Sequence, residues 1–310
     1  MSMTDVDTVE ARTATDVRRV NKREFRSARG LVAPAVIFLI LLTQIPFLVT
    51  IGFSMMKWNL LYPNDRAFGG FSNFSSALTS GDLGPSILAT VLITTFSVVL
   101  ALLFGMIFAL LLDRQFRGRA IARTLMITPF LVMPAAAALI WKYSMFDTNI
   151  GMVNWLFKTL HLPVVSWSTD HPMLTVVIVL TWQFTPFMML ILLAGLQGQD
   201  KGILEAAQVD GAGTWRTFTW ITLPHLRMYI EIGVLLGTVI ILQVFDPIAI
   251  LTKGTGGTKT LAYLLYERAF IGLDVGQAAA YGVVTVILTI IVATVALRTL
   301  FKVFMAGGSR

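Results

Sequence analysis

Four stretches of this chain, Leu31–Met56, Ser86–Leu112, Met173–Gln199 and Val275–Leu297, contain no Asp, Glu, Lys or Arg. A helix needs about 20 apolar residues to cross the hydrocarbon core of a bilayer, and each of the four is longer. No water-soluble core of a 310-residue protein calls for such runs, and the composition agrees: 56% of the residues are hydrophobic and 13% are charged. The solvent of this chain is lipid. Two weaker segments complete a set of six. The third, near 121–141, carries Pro129 and Pro134, and only Thr124–Trp141 lies between Arg123 and Lys142. The fifth, near 228–251, carries Glu231 and Asp246. The expected fold is all-α: a polytopic membrane protein with six transmembrane helices, near 31–56, 86–112, 121–141, 173–197, 228–251 and 277–300, and a helical cytoplasmic loop over 198–227.

The basic residues set the orientation. With both termini in the cytoplasm, the inner segments hold the larger share of the 24 Lys and Arg: seven between Arg12 and Arg29, then Arg114, Arg117, Arg119 and Arg123, then Lys201, Arg216 and Arg227, and finally Arg298, Lys302 and Arg310. The outer loops hold Lys57, Arg66, Lys142, Lys158, Lys253, Lys259 and Arg268. The net charge of +7 is thus a topology signal, and nucleic acid drops out as a partner. Residues 1–30 are expected to form a cytoplasmic tail, 31–304 the membrane domain and 305–310 a second cytoplasmic tail. The basic run from Arg18 to Arg29 is expected to anchor the first tail at the inner lipid surface, and Leu31–Met56 reads as a retained span and not as a cleaved signal.

Between the fourth and fifth spans lies a compact polar insertion, EAAQVDGAGTWRTFTWITLP, from Glu205 to Pro224. It predicts a short helix, a turn at Asp210-Gly211, and a second helix that Thr214 caps and Pro224 terminates. Ile203, Ala206, Ala207 and Asp210 fall at i, i+3, i+4 and i+7, which gives the first helix a small face that another protein can approach closely.

Glu205-Ala206-Ala207, then Asp210-Gly211-Ala212, Trp215 and Phe218, and Ile221-Thr-Leu-Pro224 resemble the signature loop of permease subunits of binding-protein-dependent ABC importers, in particular the maltose-type carbohydrate branch. The run FDPIAILTKGTGG from Phe245, followed by Tyr263 and Tyr266, is similar to the sugar-permease stretch after the fifth span, although it has an extra residue in the glycine run and lacks the Pro that often closes it. The resemblance implies a bacterial cytoplasmic-membrane subunit with no cofactor of its own. Its partners would be a second homologous permease, two ATP-binding subunits carrying ATP and Mg, an extracytoplasmic sugar-binding protein and the lipid bilayer. The loop then becomes the ATPase-coupling element: Glu205 the polar anchor, Ala206 and Ala207 the close-contact face, Asp210-Gly211 the turn, with Trp215, Phe218 and Ile221 pinning the second helix to the membrane domain.

Polar groups inside spans are costly and mark pathways. The substrate path is therefore expected at Gln183 and Phe187, at i and i+4 on the fourth span, and at Ile240, Gln243 and Asp246 along one face of the fifth. Aromatic, amide and carboxylate groups together suit a sugar or polyol. Gly233 and Gly237 are read as a close helix contact.

Other chemistries are not supported. There are no cysteines, and His161, His171 and His225 are dispersed without metal-ligand spacing. The glycine-rich run Gly254–Thr260 lacks the Gly before Lys259 that a phosphate loop requires. No catalytic motif stands out, so this chain is read as a transport subunit and not an enzyme. Two rivals are an ion-driven secondary transporter, which would show inverted repeats or an intramembrane charge network, and a membrane-embedded transferase, which would need an acidic or histidine cluster at one interface.

Overall fold

The computed structural model describes residues 32–307; the tail expected over 1–30 and the last three residues lie outside the described residues. The chain divides into two compact units, Met1–Gly52 and Phe53–Arg310. In the first, α1 (Val32–Ser54) begins: it is apolar around its whole circumference, and successive side chains such as Ile37, Phe38, Leu39 and Ile40 are all exposed.

The second unit opens with a short antiparallel hairpin, β1 (Met56–Lys57) against β2 (Ala67–Phe68), and α2 (Ser72–Thr79). Buried Asn73 holds this corner, its Nδ2 donating to the carbonyls of Ser54 and Met56, both at 2.8 Å. The first long span is α3 (Leu83–Asp113). The expected third span is not one rod. It is α4 (Arg119–Leu131) and α5 (Pro134–Met145), bent by 100°. Pro134 is the cause: its ring disfavours helical backbone at the residue before it, and Val132 and Met133 are extended, with ψ of 132° and 136°. Pro129 is tolerated inside α4.

An outer loop follows with α6 (Met152–Thr159) and α7 (Trp167–Asp170). Its hub is Asn154, fully buried, whose Nδ2 donates to the carbonyls of Phe146, Asp147 and Val165 while its Oδ1 accepts from Val165 N. The central helix is α8 (Pro172–Gln197), which packs most extensively against α3. Beyond it lie α9 (Lys201–Val209), α10 (Thr214–His225) and α11 (Arg227–Leu242), with a 61° bend between the last two. The fifth span therefore ends at Leu242, well short of residue 251. Residues 243–245 leave the helix, and a wide π turn over Ile248–Thr252 precedes α12 (Leu261–Tyr266) and α13 (Val275–Gly307). Among the described residues four helices are long and apolar enough to cross a membrane, or up to six if each bent pair is one span.

The core forms around α8. Met188 has no exposed surface and sits where three glycines let helices close in: Gly105 of α3, and Gly233 and Gly237 of α11. A Cβ at Gly105 would lie 2.7 Å from Met188 Cβ, and one at Gly233 would lie 3.2 Å from its sulfur. The small-residue pair in α11 thus marks close packing. In lipid, where burial of apolar surface gains little, such interdigitation and its dispersion contacts hold helices together.

Candidate functional site

The loop between α8 and α11 is built by local rules. Asp200 caps α9, its carboxylate accepting from Gly202 N at 2.8 Å. At the other end Gly211 N bonds to Gln208 O at 3.1 Å and Ala212 N to Ala207 O at 2.9 Å, with Gly211 in the left-handed region at φ 74°. This pair of bonds is a Schellman closure. It explains the Asp210-Gly211-Ala212 sequence, because only glycine takes that backbone without a steric cost. A Cβ at Gly211 would meet nothing within 4 Å, so the requirement is conformational and not spatial.

Exposure sorts the loop residues. Glu205, Ala206 and Asp210 are exposed, and Glu205 has no hydrogen-bond or ionic partner among the described residues. Ala207 turns inward, 7% exposed. The outward face also carries Ile203, at 53% exposure, and Val209, at 89%. Apolar side chains held out on a polar loop are a feature of docking surfaces.

Three local expectations are corrected. Gly213, not Thr214, precedes the first turn of α10, and no side chain caps it. Trp215 is 77% exposed, its ring tilted at 5.9 Å from that of Phe218, so it does not pin the loop to the spans. Pro224 does not terminate the helix: the turn over Phe218–Thr222 widens to π, with Leu223 N bonding Phe218 O, and the chain stays helical to His225. The break comes at Leu226, fully buried. There a Cβ on Gly195 of α8 would lie 2.7 Å from Leu226 Cδ2 and from the Tyr229 ring, and His225 Nε2 lies 3.0 Å from Gly195 O. This clasp between α8 and the bend was not foreseen; Gly195 near the end of a span was its one sequence signal. Glu231 forms an ion pair with Arg227 at 2.8 Å, within the first turn and a half of α11.

The expected path residues do not converge within this chain. Gln183 is 3% exposed and its Nε2 donates at 3.0 Å to Val132 O, a carbonyl freed by the break between α4 and α5. Phe187 stacks on Phe130 at 5.3 Å. Both thus support the bent third span. Ile240 is 43% exposed, and Gln243 is exposed, with Nε2 bonded to Val239 O at 3.2 Å. The expected shared face of Ile240, Gln243 and Asp246 is interrupted, because the helix ends at Leu242 and Asp246 begins the next segment, half-buried.

Past that break, Phe245, Tyr263 and Tyr266 form an aromatic cluster, with Phe245 4.8 Å from Tyr266, that continues to Phe270. The glycine-rich run beside it is a tied-down turn. Thr252 and Thr258 hydroxyls bond at 2.6 Å, Gly254 lies under Tyr263, and Lys259 pairs with Glu267 at 2.8 Å, which raises the pKa of the lysine. Its lysine is thus already engaged. Among the described residues no three His, Asp or Glu side chains gather as a metal site would require.

Residues 86–305, from α3 to the last helix, match the family model described as binding-protein-dependent transport system inner membrane component. The chain belongs to this family. This permease is 33% identical over 295 residues to the probable ABC transporter permease protein y4oQ of Sinorhizobium fredii, covering 94% of this chain and 95% of the relative. It is 34% identical over 279 residues to the trehalose transport system permease protein SugA of Mycobacterium tuberculosis, covering 89% and 90%. Its fold is that of a chain in the crystal structure of a bacterial alginate ABC transporter in complex with a pentasaccharide-bound periplasmic protein, with a TM-score of 0.76, 19% identity, and 92% and 97% of the two chains aligned. The permease is thus a multi-pass inner-membrane transport subunit.

Proposed function

We propose that this permease moves a carbohydrate, a sugar, oligosaccharide or polyol, into the cell by alternating access, driven by ATP hydrolysis on separate subunits. The observation that carries the mechanism is α9: a short capped helix with an unpaired Glu205 and an exposed Ala206, joined through α10 to a sharply bent fifth span. Such a helix is a handle for another protein. When the ATPase subunits close on it, the load passes through the Schellman turn and the clasp at Gly195, His225 and Leu226 into α8 and α11. A ligand or partner shifts a two-state equilibrium only through a difference in affinity for the two states. ATP acts on that equilibrium from inside and the sugar-loaded binding protein from outside.

The carbohydrate reading rests on the relative whose name specifies trehalose and on the aromatic and amide character of the path residues. Gln183 and Phe187 set the wall of the path by fixing the third span, while the exposed Ile240 and Gln243, with half-buried Asp246 beyond the helix break, complete it against a second permease. The exposed circumference of α1 fits lipid and that same partner. Both termini and the Glu205–Pro224 loop lie in the cytoplasm, in keeping with the charge distribution.

Purification of the tagged chain from its native membrane tests this reading. An ATPase, a second permease and a binding protein are expected to come with it, and sugar titrations on that binding protein then name the cargo. A chain that purifies alone and still transports would overturn the reading.

A further inference from the structure

Behind the Glu205–Pro224 loop lies a cavity of about 590 Å³, lined mostly by apolar surface with polar side chains set into it. Its floor lies where α3 and α8 end, at Asp113, Arg114 just past α3 and Gln199 just past α8, and its roof is the loop itself, at Gln208, Thr214 and Trp215. Ligand sites fall in the range of about 300–1,000 Å³. Two of its polar side chains are more than nine-tenths buried, Gln199 at 9% and Thr222 at 7% exposure, and neither has a side-chain hydrogen-bond partner among the described residues. Their polar atoms are not among the sealed-off buried groups that lack a partner, so the amide and the hydroxyl open into the cavity and are free to bond what enters it. Thr214 and Gln208 add a hydroxyl and an amide at the rim, likewise unbonded through their side chains, and Arg114 makes no ion pair among the described residues. Trp215 and Phe218 supply an aromatic wall.

We infer that this cavity binds a small polyhydroxylated molecule on the cytoplasmic face, separate from the transport path. Amide and hydroxyl groups around an aromatic wall match the hydroxyls and apolar CH faces of a saccharide. Arg114 adds a position for a phosphate or carboxylate on such a molecule. The bound molecule bridges Gln199, at the end of α8, to Thr214 and Trp215 on the loop, and so stiffens the joint that the ATPase is proposed to drive. The accumulated sugar, or its phosphorylated product, would then slow further import. That regulatory consequence rests on the coupling role proposed above, whereas the binding site does not.

The test is equilibrium binding of radiolabelled trehalose, maltose and glycerol 3-phosphate to the full-length permease in lipid nanodiscs without the ATPase. Binding is expected to be saturable and to weaken about tenfold or more in Gln199→Leu, in Thr222→Val and in the surface variant Trp215→Ala, which removes the wall without touching the core. Preference for glycerol 3-phosphate that disappears in Arg114→Gln identifies the anionic form as the ligand; binding of the neutral sugars unaffected by that change identifies the neutral form. Absence of saturable binding, or binding that survives in all three cavity variants and is lost in Gln243→Ala, overturns the inference. Because no ATPase is present, failure here leaves the coupling reading standing, and failure of coupling leaves the binding result intact.

Discussion

Met188 provides the sharpest test of how the membrane domain is held together. Three glycines flank it, and alanine at two of them, Gly105 and Gly237, adds the same methyl group with different consequences. At Gly105 the new Cβ would lie 2.7 Å from Met188 Cβ and 2.9 Å from Met189 N, atoms of or next to the α8 backbone that cannot rotate away. The helices must separate, at a cost of about 1–3 kcal/mol, toward the upper end because backbone is involved. At Gly237 the nearest atom is Met188 Cε, the free end of a flexible thioether. Moving it costs about 0.5–1.5 kcal/mol in rotamer energy, offset by a gain of about 1 kcal/mol in helix propensity. Thermal unfolding in nanodiscs should therefore show Gly105→Ala lowered by several degrees, at about 2–4 °C per kcal/mol, and Gly237→Ala close to wild type. Truncation to Met188→Ala should not rescue Gly105→Ala, since Cβ and backbone remain. Equal destabilisation by the two alanines, or rescue of Gly105→Ala, would refute the packing argument.

Three further outcomes follow from other parts of the molecule. Glu205→Lys and Gly211→Asp should insert normally yet abolish substrate-stimulated ATP turnover of the assembled transporter, whereas Gly211→Ala, which has room but takes a strained φ, should fall between, at a local cost of about 1–2 kcal/mol; normal uptake in Glu205→Lys would count against the loop's role. Asn154→Ala removes four hydrogen bonds from the outer loop, about 1 kcal/mol each net, and should expose residues 147–165 to limited proteolysis while the spans remain intact. Asp147 accepts from Asn149 N and Ile150 N, and these amides, Ile150 first, hold its carboxyl below the ordinary carboxylate range. A depressed pKa gives stabilisation that is present above that range and lost as the pH falls through it. Hydrogen-exchange protection at Asn149 and Ile150 should weaken on acidification, and pH-independent protection factors would contradict the assignment.

The unbroken spans were legible because a charge-free apolar run has few alternatives to a membrane helix, and Leu83–Asp113, Pro172–Gln197 and Val275–Gly307 contain the expected segments. The broken ones were legible only in part. Pro134 announced a disturbance in the third span, but the 100° bend needs an acceptor for the carbonyl it frees, and Gln183 lies on another helix. Pro224 misled because a π turn upstream absorbs the ring, a solution that depends on neighbouring packing. In the fifth span, hydropathy continues past Leu242 although the helix does not, so a face reading at i and i+3 failed from Ile240 to Asp246. In the Glu205–Pro224 loop the first helix and its turn at Asp210-Gly211 were readable, since the closing bonds are local, whereas the Thr214 cap and the stop at Pro224 were misread. The inward turn of Ala207 and the cavity behind the loop were not readable, because both depend on the ends of α3 and α8.

This permease is proposed to transport only when an ATPase grips it. Proteoliposomes containing the permease with its co-purified partners, loaded with ATP and supplied outside with sugar-charged binding protein, measure it directly. Uptake that requires ATP, the ATPase and the binding protein together, and that vanishes in Gly211→Asp, is the predicted result. Uptake by the permease alone, driven by an ion gradient and indifferent to ATP, would contradict it.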